Sequence, residues 1–244
     1  MIKIEKTEVV GWEAAVHGMR NPLNSWDRSD SGWCSAEDDK GVDYVGYNDA
    51  YDPPKLYFIG ENDQKLMTDL ATGGPVCAKY RRMIVVYLDI TAPLYWWKEF
   101  DTYKIGTVAN SCSTMHKIAA KEFTLDDFSH EHLMDLCTSD AGDALYLNIS
   151  ALRIDGSELL ALTINVLNYY RLRFLKTNDK KYWWQIIQLL PSSYNQKRTV
   201  MLNYEVLAGL YPMRKDHKLD EWQEFCEWVE SLPYSEFITG ERRG

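Results

Sequence analysis

The sequence predicts a helix-rich α+β fold, a single domain over residues 1–244 around a small, mostly antiparallel sheet. Three observations lead to this prediction. Long segments carry apolar residues at helical spacing, a few shorter runs are rich in β-branched residues, and no internal repeat divides the chain. The length is also sufficient for one sizeable core.

The N-terminal part of the chain predicts a short strand and two helices. Apolar and charged residues alternate over residues 2–4, as in a half-buried strand, and GWEAAVHGMR (residues 11–20) favours a helix. A second helix is predicted over residues 62–74, with Asn62 or Asp63 as its cap and a pair of glycines at its end.

Residues 25–63 differ in composition from the rest of the chain. This segment is acidic, punctuated by glycine and proline, and poor in leucine, which predicts a long irregular loop or lid. The segment also contains large aromatic side chains that can pack in the fold, namely Trp26, Trp33, Tyr44, Tyr47 and Tyr51.

The run MIVVYLDI (residues 83–90) predicts a strand buried on both faces. The preceding KYRR would then form the start of that strand, with Lys79, Arg81 and Arg82 alternating between its faces. Two cations on one side suit a phosphate group, while a solvated strand end is the alternative.

Helical periodicity is strongest towards the C-terminus. A capped amphipathic helix is predicted over residues 123–137, and a long helix with a wide apolar face over residues 157–176. Two more helices are predicted over residues 180–191 and 219–233, each followed or ended by a proline.

Composition and charge exclude several classes of protein. A net charge of −9 and a pI of about 5.1 argue against a protein that binds nucleic-acid polymers. No apolar run approaches the length of a membrane span, and the N-terminus lacks the pattern of a signal peptide. Five scattered cysteines without a C-x-x-C pair indicate a reducing compartment, so we expect a cytoplasmic protein.

Common catalytic and metal-binding motifs are absent from the sequence. It contains no phosphate loop, no G-x-G-x-x-G and no H-E-x-x-H. His130 and His132 lie two residues apart and would point to different faces of a helix, so no metal site is predicted.

The polar run NSCSTMH (residues 110–116) leaves alternatives open. If it is helical, Cys112 and His116 share one face, and His116 would then favour a thiolate nucleophile. The alternative is a cysteine that acts only as a small hydrophobic residue. The residue pattern identifies no other catalytic nucleophile.

The C-terminal half carries a resemblance to a known family. Pro191, Asn203 and Arg214 stand 12 and 11 residues apart, and Pro191 follows a leucine. This arrangement resembles the flavin-dependent (alternative) thymidylate synthases, in which a Leu-Pro pair leads to an Asn-x-Arg-x-Leu helix and then to Arg-x-Asp. Upstream, IVVYLDITAPLYWWKEF is similar to the buried strand of that family and its entry to the signature helix.

The signature segments of the family also find counterparts. NSCSTMH lies where the family carries Asn-Glu-x-Ser-x-Arg-Tyr, so Asn110 and Ser113 match and Ser111 replaces the glutamate. The family's flavin-holding Arg-His-Arg falls on residues 102–105, where Lys104 is the cation. The arginine of Asn-x-Arg is replaced by Glu205.

The resemblance implies a set of ligands and the residues that bind them. It implies a pyrimidine deoxynucleotide as substrate, FAD as cofactor, and a reduced folate as one-carbon donor. The implied substrate-binding residues are Arg214, Ser113, Asn110, Ser111, Arg20 (in HGMRNP) and Arg82. The implied cofactor-binding residues are Asn203, Lys104, Lys79, Arg81 and His217.

Two hypotheses of function follow from these observations. The first is a divergent enzyme of this family that methylates or hydroxymethylates a pyrimidine nucleotide at the base, in a homotetramer whose subunits share the active site. The second is a non-catalytic scaffold of the same fold, which serves partner binding or regulation through the acidic segment and the C-terminal helix.

Overall fold

The computed structural model describes residues 1–37, 43–51, 53–134 and 154–240. These residues form two compact units that interleave along the chain. The first unit comprises Met1, Thr91–Phe100 and Ser111–Arg198, and the second comprises Ile2–Ile90, Asp101–Asn110 and Thr199–Gly244. The single domain expected over residues 1–244 stays a prediction.

The secondary structure confirms a helix-rich α+β fold. The helices are α1 Trp12–Arg20, α2 Glu61–Thr72, α3 Leu94–Phe100, α4 Thr114–Lys117, α5 Gly156–Thr177, α6 Lys180–Leu189, α7 Tyr204–Arg214, α8 Asp220–Ser231 and α9 Glu236–Thr239. The strands are β1 Lys3–Val10, β2 Gly32–Ser35, β3 Tyr44–Asn48, β4 Lys55–Phe58, β5 Val85–Pro93, β6 Val108–Ser111 and β7 Asn195–Asn203. They form a four-stranded sheet in the order β1-β5-β7-β6 and a three-stranded sheet in the order β2-β4-β3.

The first unit is built on the pairing of α5 with α6. Asp155 caps α5 by accepting from the backbone of Glu158, whose side chain accepts from the backbone of Asp155 in return. This capping box fixes where the helix begins. The buried cluster of the unit contains Ile118, Ala119, Phe123, Phe128, Leu160, Leu167 and Ile186.

The second unit holds most of β5, whose side chains form the centre of its core. Val86, Leu88 and Ile90 are buried, as expected for a strand with a neighbour on each side. Asp89 is also buried and accepts a 2.6 Å hydrogen bond from Thr199 on β7. The sequence therefore predicted a strand here correctly, but the strand runs from Val85 to Pro93, and Tyr87 is 43% exposed, so burial on both faces was wrong.

The prediction of an irregular loop over residues 25–63 is wrong, because this segment contains the three strands of the smaller sheet. Strands β2 and β3 both pair antiparallel with β4, and Trp33 lies opposite Tyr57 with ring centroids 5.1 Å apart. Each strand has only four or five residues, so cross-strand pairing stabilises it rather than local propensity. A role of the segment as a lid stays a prediction.

Two further elements differ from the sequence prediction. KYRR does not begin a strand but lies in the 3-10 helix Ala78–Arg82, because Tyr80 turns inwards and donates to the carbonyl of Met67 at 2.9 Å. The helix expected over 123–137 is reduced to the 3-10 turn Leu125–Asp127 and irregular backbone as far as residue 134. Residues 135–137 lie outside the described part of the chain.

The start of α2 is organised around a buried carboxylate. Asp63 accepts hydrogen bonds from Arg20 Nε at 2.6 Å and from the hydroxyls of Ser29 and Ser31 at 2.6 and 2.7 Å. Asp30 in turn accepts from the backbone N–H of Asp63 at 3.1 Å. One carboxylate therefore joins α1, the turn before β2 and the first turn of α2.

Replacing Asp63 by Asn keeps the shape of the side chain but removes the charge that compensates Arg20. Removing one member of a buried ion pair costs about 3–5 kcal/mol. We expect the Asp63→Asn variant to lose about that much free energy of unfolding in urea denaturation. Asp69→Asn, an exposed change on the same helix, should stay within about 0.5 kcal/mol. Equal losses in the two variants would contradict this role of Asp63.

The same carboxylate makes stability depend on pH. Burial raises the pKa of Asp63, but hydrogen bonds from Ser29, Ser31 and Arg20 outweigh that effect and hold the pKa below its ordinary value. Because the pKa is lower in the folded state than in the unfolded state, the stabilisation is complete above the unfolded carboxyl pKa of about 3.9. It is lost as the pH falls through the folded value. Acid titration of the unfolding midpoint should show this loss in the wild type and a smaller one in Asp63→Asn.

Candidate functional site

A cleft of about 330 Å³ lies between residues 102–105 and one side of α7. Its size is at the lower end of the range of small-molecule sites, about 300–1,000 Å³. The residues that line it combine aromatic, aliphatic and charged side chains, namely Thr102, Tyr103, Lys104, Ile105, Glu205, Val206, Gly209 and Met213. All of them belong to the second unit.

Gly106 and Asn203 position the two walls of the cleft. Asn203 caps α7, and its side chain accepts from the backbone of Val206 at 3.0 Å. Gly106 has a φ of 79°, a conformation that favours glycine, and a Cβ at this position would lie 2.9 Å from Val206. Only a residue without a side chain lets the 102–106 segment approach the helix this closely.

Arg214 flanks the cleft from the last turn of α7. Its Nε donates to the hydroxyl of Tyr103 at 2.8 Å, and its guanidinium carbon lies 4.4 Å from the ring centroid of Trp222 on α8. Trp222 is buried, so the guanidinium packs on a fixed aromatic surface. This contact orders Tyr103 and Arg214 together at one end of the cleft.

Glu205 and Arg81 form an ion pair behind the other end of the cleft. Arg81 Nη1 lies 3.8 Å from Glu205 Oε2, and both side chains are largely buried. Arg81 Nε and Glu205 Oε2 make no hydrogen bond with any described residue. The pair therefore balances its charges while leaving hydrogen-bonding capacity unused.

Solved structures share this architecture, although no protein-family model and no curated protein sequence matches the chain. Thymidylate synthase X (ThyX) from Helicobacter pylori, solved with FAD and dUMP, matches with a TM-score of 0.61 at 15% identity, over 98% of each chain. The UMP/dUMP methylase PolB from Streptomyces cacaoi, bound with 5-Br UMP, matches with a TM-score of 0.57 at 13% identity, over 98% of this chain and 95% of that one.

The chain has the fold of the flavin-dependent thymidylate synthases. The fold expected from the motif spacing is thus confirmed, and it extends over nearly the whole chain. At these identities the likeness establishes the ThyX fold and does not extend to ligands or reactions.

Several predicted residues of the ThyX-like fold meet at or beside the cleft. Lys104 is exposed and lines it, Asn203 caps the helix that forms one wall, and Arg214 flanks it. Arg81 reaches the same region through Glu205. Their assignment to cofactor or substrate stays a prediction.

Other predicted residues of the second unit lie away from the lining of the cleft. Lys79 and Arg82 are exposed on the same 3-10 helix as Arg81. His217 follows α7, and its Nδ1 accepts from the backbone of Leu219 at 3.2 Å. Arg20 is held by Asp63 and lines a separate cavity of about 750 Å³, beside α1 and α2.

The polar run at 110–116 is exposed and divided between the two units. Asn110 and Ser111 end β6, and Ser113 caps the short helix α4 by accepting from the backbone of His116 at 3.1 Å. Cys112 lies before that helix, so the helical face that would pair it with His116 does not form. Within the described ranges, no group of three or more His, Cys, Asp or Glu side chains is arranged to hold a metal ion, and no helix has the length and apolar character to cross a membrane.

Sequence reasoning missed two residues that the cleft brings together. Tyr103 was noted only as part of the segment aligned with Arg-His-Arg, and Glu205 only as a replaced arginine. The signal for Glu205 was its position two residues after Asn203, which places it in the first turn of α7.

A double-mutant cycle tests the pairing of Arg81 with Glu205. Each single change to alanine leaves a largely buried charge without its partner, whereas the double variant removes both charges. We expect a coupling energy of about 1 kcal/mol from urea denaturation. Lys79→Ala, which removes an exposed cation from the same 3-10 helix, should couple to Glu205→Ala by less than about 0.3 kcal/mol. Strict additivity of Arg81→Ala and Glu205→Ala would show that the two residues do not interact.

Proposed function

We propose that this chain binds a pyrimidine nucleotide in the cleft between residues 102–105 and α7. The observation that carries the proposal is that Lys104, Tyr103 and the helix ending in Arg214 form one cleft. These are the segments in which the resemblance places ligand-binding motifs. The two matching structures described above contain dUMP and 5-Br UMP, which supports the same class of ligand here.

The dimensions of the cleft favour a nucleoside monophosphate that lies along α7. Glu205 and Arg214 are nine residues apart on this helix, which corresponds to about 13 Å along its axis. That separation is comparable to the length of a nucleotide, so the base lies near Glu205 and the phosphate near Arg214. The ring of Tyr103 offers an aromatic surface at the end beside Arg214.

Lys104 in the cleft and Arg214 beside it together suit a single phosphate group. Lys104 is exposed and contributes an ammonium group with three donors, and Arg214 contributes a guanidinium that is ordered by Tyr103 and Trp222. Hydrogen bonds between such groups and phosphate oxygens are among the stronger ones in proteins.

The residues of this cleft do not fit FAD. A dinucleotide cofactor needs cations for two phosphates, but the wall presents the carboxylate of Glu205 and Arg81 is engaged with that carboxylate. Lys79 and Arg82, which the resemblance assigns to ligand binding, are not among the lining residues. FAD, a reduced folate donor and a homotetramer therefore rest on the resemblance alone, and no reaction step is assigned to the flavin.

A second candidate is a protein that binds the nucleotide without modifying it, because the Glu205–Arg81 pair places a carboxylate where the resemblance implies an arginine. It shares the absence of catalysis with the second hypothesis, the scaffold for partner binding or regulation. Incubation of dUMP or dCMP with reduced FAD and methylenetetrahydrofolate should then give no methylated or hydroxymethylated base by mass spectrometry. Turnover of either nucleotide by the purified chain would overturn this candidate in favour of the enzyme.

Changing Lys104 to Ala tests the proposed phosphate contact. A lost charge-assisted hydrogen bond should weaken the binding of dUMP and dCMP about tenfold in isothermal titration calorimetry. Binding of the corresponding deoxynucleosides, which carry no phosphate, should not change. Lys98→Ala, an exposed change on α3, is the matched control and should leave all affinities unaltered. The proposal fails if neither nucleotide binds the wild type, or if Lys104→Ala binds both as tightly as the wild type.

A further inference from the structure

The wall of the cleft carries the carboxylate of Glu205, which is paired with Arg81 on its buried side. Glu205 Oε2 is turned inwards, where Arg81 Nη1 lies at 3.8 Å and no described residue donates a hydrogen bond to it. The Glu205 side chain, which is 19% exposed, also lines the cleft. A ligand in the cleft therefore meets a carboxylate, which accepts hydrogen bonds.

Arg81 acts on the carboxylate as a positioning residue. Its guanidinium lies on the side of Glu205 that faces the 3-10 helix Ala78–Arg82, and it is not among the residues that line the cleft. The attraction between the two charges holds Oε2 inwards. An ionised carboxylate can only accept hydrogen bonds.

An acceptor at this position distinguishes the two common pyrimidines. Cytosine carries an amino group at C4, which donates two hydrogen bonds, whereas uracil carries a carbonyl oxygen there, which only accepts. A carboxylate accepts well from the cytosine amino group. Opposite the C4 substituent of uracil, it would set two acceptors against each other, because the donor on this edge of uracil is N3–H.

We infer that Glu205 is a specificity-determining residue, which makes the cleft select pyrimidine nucleotides with an amino group at C4 over those with a carbonyl group. The preferred ligand is then a cytosine nucleotide such as dCMP. The inference rests on the proposed nucleotide binding, since it places the base end of the ligand beside Glu205. Arg214 and Lys104 contact groups that both nucleotides share and do not contribute to this choice.

Calorimetric titration of the wild type with dCMP and dUMP tests the inference. One charge-assisted hydrogen bond gives a preference of about tenfold or more for dCMP. In Glu205→Gln the amide can donate to the uracil carbonyl as well as accept from the amino group, so the preference should fall to about twofold or less. Glu227→Gln makes the same change of charge at an exposed position of α8 and should keep the wild-type preference.

A modified nucleotide tests the inference on the wild-type protein, so the result does not depend on whether a variant folds. N4,N4-dimethyl-dCMP has no N–H at C4, so it should bind the wild type at least about tenfold more weakly than dCMP. Equal binding of dCMP and dUMP, tighter binding of dUMP, or an unchanged preference in a folded Glu205→Gln variant would each overturn the role of Glu205 and leave nucleotide binding standing. Failure of both nucleotides to bind the wild type would overturn the inference and the proposed function together.

Discussion

The cleft depends on one steric constraint, the close approach of the 102–106 segment to the first turn of α7. This approach requires that Gly106 has no side chain, because a Cβ there would collide with Val206, and that Asn203 caps the helix beside it. The same contact brings Tyr103 within hydrogen-bonding distance of Arg214. A wider gap between this segment and α7 would move Tyr103 and Lys104 away from Glu205 and Arg214.

The pairing of Arg81 with Glu205 determines the charges at the cleft but not the arrangement of its walls. Where the related fold is expected to present a guanidinium from α7, this chain presents a carboxylate from α7 and supplies the guanidinium from a 3-10 helix. The local charge is balanced, and the wall of the cleft presents a carboxylate. Under the proposed binding, this wall suits a ligand that brings its own N–H groups.

The sequence predicted those parts of the fold that depend on local periodicity. Helix α5 was expected over 157–176 and is found at Gly156–Thr177, and α8 was expected over 219–233 and is found at Asp220–Ser231. Strand β5 was recognised from its run of β-branched residues, although only one of its faces is fully buried. The spacing of polar residues between Asn203 and Arg214 indicated the fold, although no family model matches the chain.

What the sequence could not predict depends on contacts between distant residues. The strands β2, β3 and β4 are too short to show a period, and each depends on its neighbour. The 3-10 helix at KYRR forms because Tyr80 finds the carbonyl of Met67, on a different helix. Glu205 and Arg81 are far apart in the chain, so the ion pair that balances the charge of the cleft wall can be recognised only from the three-dimensional structure.

A crystal structure of the chain grown with dCMP and FAD together tests the central claim most directly. The account predicts electron density for one nucleotide along α7, with its base amino group within hydrogen-bonding distance of Glu205 and its phosphate beside Lys104 and Arg214. An isoalloxazine ring between residues 102–105 and α7, or a nucleotide bound elsewhere with this cleft empty, would contradict it.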